Sequence, residues 1–154
     1  MPTLATRYFG ELTYDAEAEF GFPSGIPGFE DHTRFLFIEQ PHAQPLVFMQ
    51  SFDDPSLCFM SVPVFVADPN YRLELTAEDR TALGLTDDAP VEIGPDVVCL
   101  ALVTATEGSD PTANLASPIV LNLRNRKAVQ SIQGSSKYSL RHPLLAQEEV
   151  AGCS

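Results

Sequence analysis

Residues 97–104 read Val-Val-Cys-Leu-Ala-Leu-Val-Thr, an almost unbroken apolar run with turn-forming residues on both sides. A run of this length between turn signals is typical of a strand that is buried on both faces. We therefore predict that these residues form a central strand, and that the rest of the fold is built around it.

Shorter strand candidates lie on both sides of this run. Residues 34–39 and 46–51 are rich in Phe, Leu, Ile and Val, and the Pro-bounded loop between them is typical of a hairpin. Pro63 interrupts another apolar stretch, so it predicts an edge position or a break between two short strands. The remaining candidates are 4–8, 17–22, 57–66, 71–75, 119–123 and 127–133.

One helix signal is present. Thr76 can cap the first turn of a helix over 77–83, where Glu78 and Asp79 favour the N-terminal dipole. Gly84 can adopt the left-handed conformation that ends a helix. We predict one short helix there, which needs packing to be stable because it has only about two turns.

Two loops are distinctive. Residues 22–29 read Phe-Pro-Ser-Gly-Ile-Pro-Gly-Phe, and two prolines and two glycines exclude regular structure. The apolar members of this loop predict that it folds back onto the core. Arg124-Asn125-Arg126 is a candidate turn, with Asn125 tolerating a positive φ.

These patterns give about nine or ten strands and one short helix. The chain of 154 residues, 44% of them hydrophobic, has the size of one folded domain. We predict an all-β fold: a single antiparallel β-barrel-like domain over 1–145, closed or nearly closed, with a disordered C-terminal tail over 146–154.

Charge is distributed unevenly along the chain. The net charge is −12, yet residues 124–147 hold five basic residues and no acid, whereas 1–123 hold 19 acids and four bases. Such asymmetry often marks an interaction surface. The acidic balance argues against nucleic-acid binding and favours a basic partner. Solubility alone is an equally good explanation of the charge.

The sequence offers no targeting signal. The first fifteen residues contain no signal-peptide stretch, and no run reaches the ~18–20 apolar residues of a membrane span. Cys58, Cys99 and Cys153 have no metal-binding spacing. We expect a cytoplasmic protein without a metal, a cofactor or a membrane contact.

The sequence contains few residue patterns that indicate catalysis. His32, His42 and His142 do not form a known metal or catalytic spacing. Glu30-Asp31, Asp53-Asp54 and Asp87-Asp88 are adjacent carboxylates, which on turns usually face water. No nucleophile, phosphate or dinucleotide motif is present. We therefore expect a binding protein and not an enzyme.

Several motifs in one order carry a family resemblance. The longest is Phe22-Pro23-x-Gly25-Ile26-Pro27-Gly28-Phe29-Glu30. The others are Tyr8-Phe9-Gly10, Gln50-Ser51 with Asp54-Pro55, Thr112-Ala113-Asn114-Leu115 running into Pro118-Ile119-Val120-x-Asn122, Arg126-Lys127-x-x-Gln130 and Tyr138-x-Leu140-Arg141-His142-Pro143-Leu144. In these motifs and in their order, the chain resembles the FliW family of flagellar assembly factors.

The resemblance implies a non-enzymatic regulator with a β-barrel-like fold. Members of the family bind the translational regulator CsrA and also bind flagellin. CsrA represses flagellin synthesis by binding the flagellin mRNA. Binding to CsrA would relieve the repression, and accumulating flagellin would restore it. The acidic charge of this chain agrees with a basic, RNA-binding partner.

The residues that bind are a separate hypothesis. We expect the C-terminal segment to contribute Arg126, Tyr138, Arg141 and His142, because Arg and Tyr are frequent interface anchors. Phe29 and Asn122 are secondary candidates. The structural alternatives for these two are a place in the core for Phe29 and a turn or strand-end hydrogen bond for Asn122.

Three alternative functions remain open. A small-molecule-binding β-barrel would need a cavity with converging polar groups. A flagellin-specific chaperone would bind flagellin without binding CsrA. Direct RNA binding through residues 124–141 would show a steep salt dependence, and the net charge of −12 disfavours it.

Overall fold

A computed structural model of the chain describes residues 2–85, 90–134 and 137–144. The predicted tail over 146–154, with Cys153, and the Asp87-Asp88 pair lie outside the described residues.

Ten strands and two short α-helices make up the described fold. The strands are β1 (Thr3–Thr6), β2 (Gly10–Thr13), β3 (Glu19–Gly21), β4 (Arg34–Glu39), β5 (Val47–Ser51), β6 (Cys58–Pro63), β7 (Val98–Thr104), β8 (Thr112–Asn122), β9 (Lys127–Gln130) and β10 (His142–Pro143). The helices are α1 (Val64–Ala67) and α2 (Ala77–Leu83).

Seven of these strands close into a barrel. Each strand pairs with the next in the order β8-β7-β6-β5-β4-β3-β9, and β9 pairs back onto β8. The pairs are antiparallel except β3–β9, which is parallel and joins Gly21 to Lys127. The strand β10 pairs with the start of β8 outside the ring, and β1 with β2 forms a separate hairpin. The predicted all-β barrel is therefore confirmed.

The barrel interior is filled by alternate residues of the strands. Phe35, Met49 and Ile119 have no exposed surface, and Leu100 is almost as buried. They belong to one cluster of buried side chains. Because strand side chains alternate between two faces, the residues between them point outward. The central strand predicted at 97–104 is β7, and it is buried on both faces as expected.

The Pro- and Gly-rich loop closes one end of the barrel. Phe22 and Ile26 are 1% and 2% exposed and pack in the interior cluster. The ring of Phe22 lies 5.5 Å from that of Phe35 in an edge arrangement. This confirms that the loop folds back onto the core.

A second core covers the outer face of β6, β7, β8 and β9. The helices and the segment between them contribute Val64, Tyr71 and Leu83, and the strands β7 and β8 contribute Cys99 and Val120. The β1–β2 hairpin covers another part of the barrel, where Phe9 packs edge-on against Phe48 with ring centroids 5.1 Å apart. Burial raises the pKa of the Cys99 thiol to about 12.

The strand predicted at 71–75 is wrong. Leu73 and Leu75 do alternate toward the outer core, as a strand would. Two alternate backbone amides of the segment bond to side chains: Arg72 N–H donates to the Tyr138 hydroxyl and Glu74 N–H donates to Gln133 Oε1. None of the strands in the described part of the chain pairs with residues 71–75, so the segment has strand-like burial without strand pairing.

Three smaller expectations also change. The break at Pro63 is correct, but the one-turn helix α1 follows it instead of a second strand. The expected single helix is α2, so α1 is an additional one. In the β8–β9 turn the positive φ belongs to Arg126, at 56°, and not to Asn125.

The strand β8 is longer than predicted because a bulge accommodates its proline. The register of β7 against β8 shifts between Leu100 and Leu102, so Ala101 faces several residues of β8. Pro118 lies in this interval, where a missing N–H removes no ladder bond. Its carbonyl accepts a hydrogen bond from Ser131 N–H.

Candidate protein-binding groove

The predicted binding residues do not form one surface. Arg126 is exposed in the turn after β8, whereas Arg141 and His142 lie beside the start of β8. The strand β7 pairs Val98 with Leu121 and Thr104 with Thr112, so the two ends of β8 are about 20 Å apart. Phe29 lies in the loop that closes the barrel. The structure thus divides the basic segment between two regions.

Asn122 is a structural residue. Its side chain is 4% exposed, and its Nδ2 donates to the Leu83 carbonyl at 2.9 Å. Its Oδ1 accepts from Arg124 N–H at 3.1 Å. The amide therefore joins the end of α2 to the β8–β9 turn, which confirms the alternative of a strand-end hydrogen bond.

We expect Asn122→Ala to lower the free energy of unfolding by about 1–3 kcal/mol, because it removes the two hydrogen bonds of a buried side-chain amide. Urea denaturation measures this loss. Asn125→Ala is the matched control, since Asn125 is exposed and its Nδ2 donates to the same carbonyl. A larger loss of unfolding free energy in Asn125→Ala than in Asn122→Ala would show that Asn122 is not the main link between α2 and the β8–β9 turn.

Tyr138 also has a clear structural contact. Its ring stacks on that of Tyr71 with centroids 4.2 Å apart, and the Lys137 ammonium lies 5.3 Å from its centroid. The Tyr71 hydroxyl donates to the Leu115 carbonyl at 2.7 Å, and burial raises the pKa of Tyr71. The pair fastens the C-terminal segment to the outer core.

Phe29 lies at the edge of the core and not inside it. The side chain is 39% exposed, and its ring packs edge-on against Phe59 with centroids 5.2 Å apart. The nearby His32 Nδ1 lies 3.3 Å from Ser51 Oγ. That hydroxyl is fully buried and accepts from Asp53 N–H and Asp54 N–H, so it shapes a turn and is not an accessible nucleophile.

A groove runs between the closing loop and α2, with β9 at its floor. We call it the α2 groove. Two adjoining depressions of about 370 and 590 Å³ share Ser24, Glu78 and Ala82. The other lining residues are Pro23, Gly25, Pro27, Thr76, Ala77, Asp79, Thr81, Lys127, Val129, Gln130 and Ile132.

The helix side of the α2 groove is fixed by hydrogen bonds. Thr76 and Asp79 form a capping box at the start of α2. Ser131 Oγ donates to Asp79 Oδ2 at 2.7 Å. Gln133 Nε2 donates to the Glu74 carbonyl at 2.9 Å and to Ser131 Oγ at 3.0 Å. The predicted capping of α2 by Thr76 is confirmed, and Gly84 ends the helix in the left-handed conformation.

The loop side is fixed by its backbone. Gly25 has a φ of +70° and approaches the backbone of Glu30. The Glu30 carboxylate accepts from Gly28 N–H at 2.9 Å, and this bond lowers the pKa of the carboxyl. Both walls of the groove are therefore held in place by contacts within the chain.

The charges of the groove are unequal. Glu78 is exposed and lines both depressions, and its carboxylate forms no hydrogen bond or ion pair with a described residue. Asp79 adds a second carboxylate, and Lys127 lines only one end. Ile132 lies at the other end and is 65% exposed. Sequence reasoning missed this site because its walls come from three separated parts of the chain.

A second depression lies at the open end of the barrel. It has a volume of about 410 Å³, and its lining includes Phe37, Leu100 and Leu121 from the strands and Leu123 from the turn after β8. Glu39 is the single charged residue of that lining. Among the described residues, no group of three His, Cys, Asp or Glu side chains could hold a metal ion. None of the described helices has the length and apolar character needed to cross a membrane.

The fold and its depressions define a small closed β-barrel whose interior is filled by side chains and which carries a groove on its outside. The FliW protein family matches residues 3–144 of the chain. The chain therefore belongs to the FliW family.

Individual members of the family are similar to this chain over most of its length. The flagellar assembly factor FliW of Alkaliphilus metalliredigens is 32% identical over 146 residues, which cover 94% of this chain and 86% of the relative. That of Treponema pallidum is 33% identical over 145 residues, covering 94% and 92%. A crystal structure of the flagellar assembly factor FliW superposes with a TM-score of 0.79 at 29% identity, covering 93% of this chain and 96% of the other.

Proposed function

We propose that this protein is a cytoplasmic flagellar assembly factor that acts by binding CsrA and flagellin and carries out no catalysis. Its binding to CsrA relieves the repression of flagellin mRNA. Accumulating flagellin binds the protein and so releases CsrA, which then represses the flagellin mRNA again.

The observation that carries the proposal is the family match over residues 3–144. The charge supports it physically. A protein that binds RNA presents a basic surface, and a chain of net charge −12 attracts such a partner. The α2 groove combines carboxylates with apolar surface, which suits a protein partner.

The small-molecule alternative has less support. The depression at the barrel end is lined by apolar side chains and by one carboxylate, Glu39. A small-molecule site usually combines an apolar lining with several placed polar groups that fix the ligand's orientation. Direct RNA binding is also disfavoured, because the basic residues are divided between two regions of an acidic protein.

Calorimetric titration with CsrA tests the proposal. We expect sub-micromolar binding at about 50 mM salt and weaker binding at about 500 mM, because salt screens charge attraction between exposed groups. A titration with flagellin is run in parallel. Binding to flagellin without binding to CsrA at either salt would favour the flagellin-specific chaperone.

Arg141→Ala tests the predicted C-terminal site in the same titration. If Arg141 anchors a partner, its loss weakens binding by more than about tenfold. The melting temperature stays within about 4 °C, because Arg141 is exposed and surface substitutions have small effects. Arg124→Ala, at the other end of β8, is the control. Unchanged affinity of Arg141→Ala removes this residue from the site.

A further inference from the structure

We propose that the α2 groove is the docking surface for a segment of the partner that carries an Arg or Lys beside an apolar side chain. The basic side chain lies against Glu78 and the apolar one against Ile132. This inference rests on the proposed function, because it takes CsrA as the partner that contains the segment.

The charge of the groove selects a basic segment. Glu78 lines both depressions and has no partner among the described residues, so its carboxylate is available. The Asp79 carboxylate lies on the same lining, although Thr76 and Ser131 already bond to it. Lys127 is confined to one end, which leaves the middle of the groove negative. A cationic side chain is the complement of this surface.

The apolar surface supplies an anchor. Ile132 is 65% exposed, so most of its side chain is accessible to a partner. It lines the groove together with Pro27, Ala82 and Val129. A patch of this kind beside charged groups is typical of a protein interface, where an apolar side chain is covered and polar groups form the rim.

The rigid walls favour binding without rearrangement. Ser131 and Asp79 join the groove floor to α2, and Asn122 joins the other end of the helix to β8. Gly25 and Glu30 hold the opposite loop. A surface that keeps its bound shape loses less conformational entropy on association.

Two substitutions in the full chain test the proposal by titration with purified CsrA. We expect Glu78→Lys to weaken binding by about tenfold or more at about 50 mM salt, with a smaller effect at about 500 mM. Ile132→Ser should weaken binding about tenfold at both salt concentrations, because apolar contacts are not screened. Thermal melting checks that each variant is folded.

Each variant has a matched control. Glu11→Lys makes the same change of charge at an exposed position of the β1–β2 hairpin, which packs on another part of the barrel. Leu123→Ser removes an apolar side chain that is 55% exposed and lies outside the groove. We expect both controls to bind within about twofold of the wild type.

The outcomes separate the two proposals. If wild-type protein binds CsrA and both groove variants bind equally well, the groove is not the docking surface and the proposed function stands. Equal weakening by Glu78→Lys and Glu11→Lys would also overturn the groove, since it would show a general charge effect. If the wild type does not bind CsrA at all, the proposed function fails, and the groove proposal fails with it.

Discussion

Gly25→Ala is expected to lower the free energy of unfolding by about 2–4 kcal/mol, because a left-handed backbone and a steric overlap both oppose the added methyl group. Gly25 has a φ of +70°, and a Cβ at this position would lie 2.9 Å from the Cα and the carbonyl oxygen of Glu30. Both of these atoms belong to the backbone, so they cannot turn aside as a side chain would. The barrel-closing loop must therefore shift or unfold.

Urea denaturation of Gly25→Ala and Gly28→Ala measures the two contributions separately. Gly28 has a φ of +87° in the same loop, but a Cβ there would meet no atom within 4 Å. Its substitution reports the backbone strain alone, about 1–2 kcal/mol. Equal losses in the two variants would contradict the close approach of Gly25 to Glu30.

Gln50→Glu is expected to have the second large effect, at least about 3 kcal/mol at pH 7, because it places a carboxyl group among backbone carbonyls. The Gln50 side chain is fully buried, and its Nε2 lies 3.1–3.3 Å from the carbonyl oxygens of Ser51, Asp54, Pro55 and Leu57. A carboxylate has no hydrogen to donate to these oxygens, whereas a protonated carboxyl has one.

The loss in Gln50→Glu should grow with pH. Burial and the surrounding carbonyls raise the pKa of the introduced carboxyl above the unfolded value of about 4.3. Between these two pKa values the folded state binds more protons than the unfolded state, so stability falls as pH rises. Relative to the wild type, the slope approaches about 1.4 kcal/mol per pH unit and vanishes below about pH 4.

Denaturation at several pH values checks both statements. Gln44→Glu is the control, since Gln44 is exposed and its substitution adds the same charge in water. A Gln50→Glu variant whose stability relative to the wild type does not change with pH would show that the introduced carboxyl reaches solvent.

Much of the fold follows from local patterns in the sequence. The strands β4, β5 and β7 have continuous or alternating apolar residues, and α2 has Thr76 and Gly84 at its ends. The closing loop is recognisable because its prolines and glycines exclude regular structure while Phe22 and Ile26 demand burial. In each case the deciding residues lie within a few positions of one another.

What sequence reasoning missed depends on contacts between distant segments. Residues 71–75 alternate like a strand, but the hydroxyl of Tyr138 and the amide of Gln133 supply their hydrogen bonds. The length of β8 depends on a bulge that Ser131 helps to hold. The α2 groove likewise joins residues 23–27, 76–82 and 127–132, and nothing in each segment alone indicates the other two.

The barrel is closed by its shortest seam. A single register pair, Gly21 with Lys127, joins β3 to β9, and the Gly21 amide donates to the Arg126 carbonyl. Every other junction of the ring has a longer antiparallel ladder. The β3–β9 junction is therefore the part of the barrel that opens most easily in native-state fluctuations. We expect the Gly21 amide to exchange its hydrogen with solvent faster than the amides inside β5 and β7. Because α2 packs on β9, such opening would also disturb the surface that we assign to the partner.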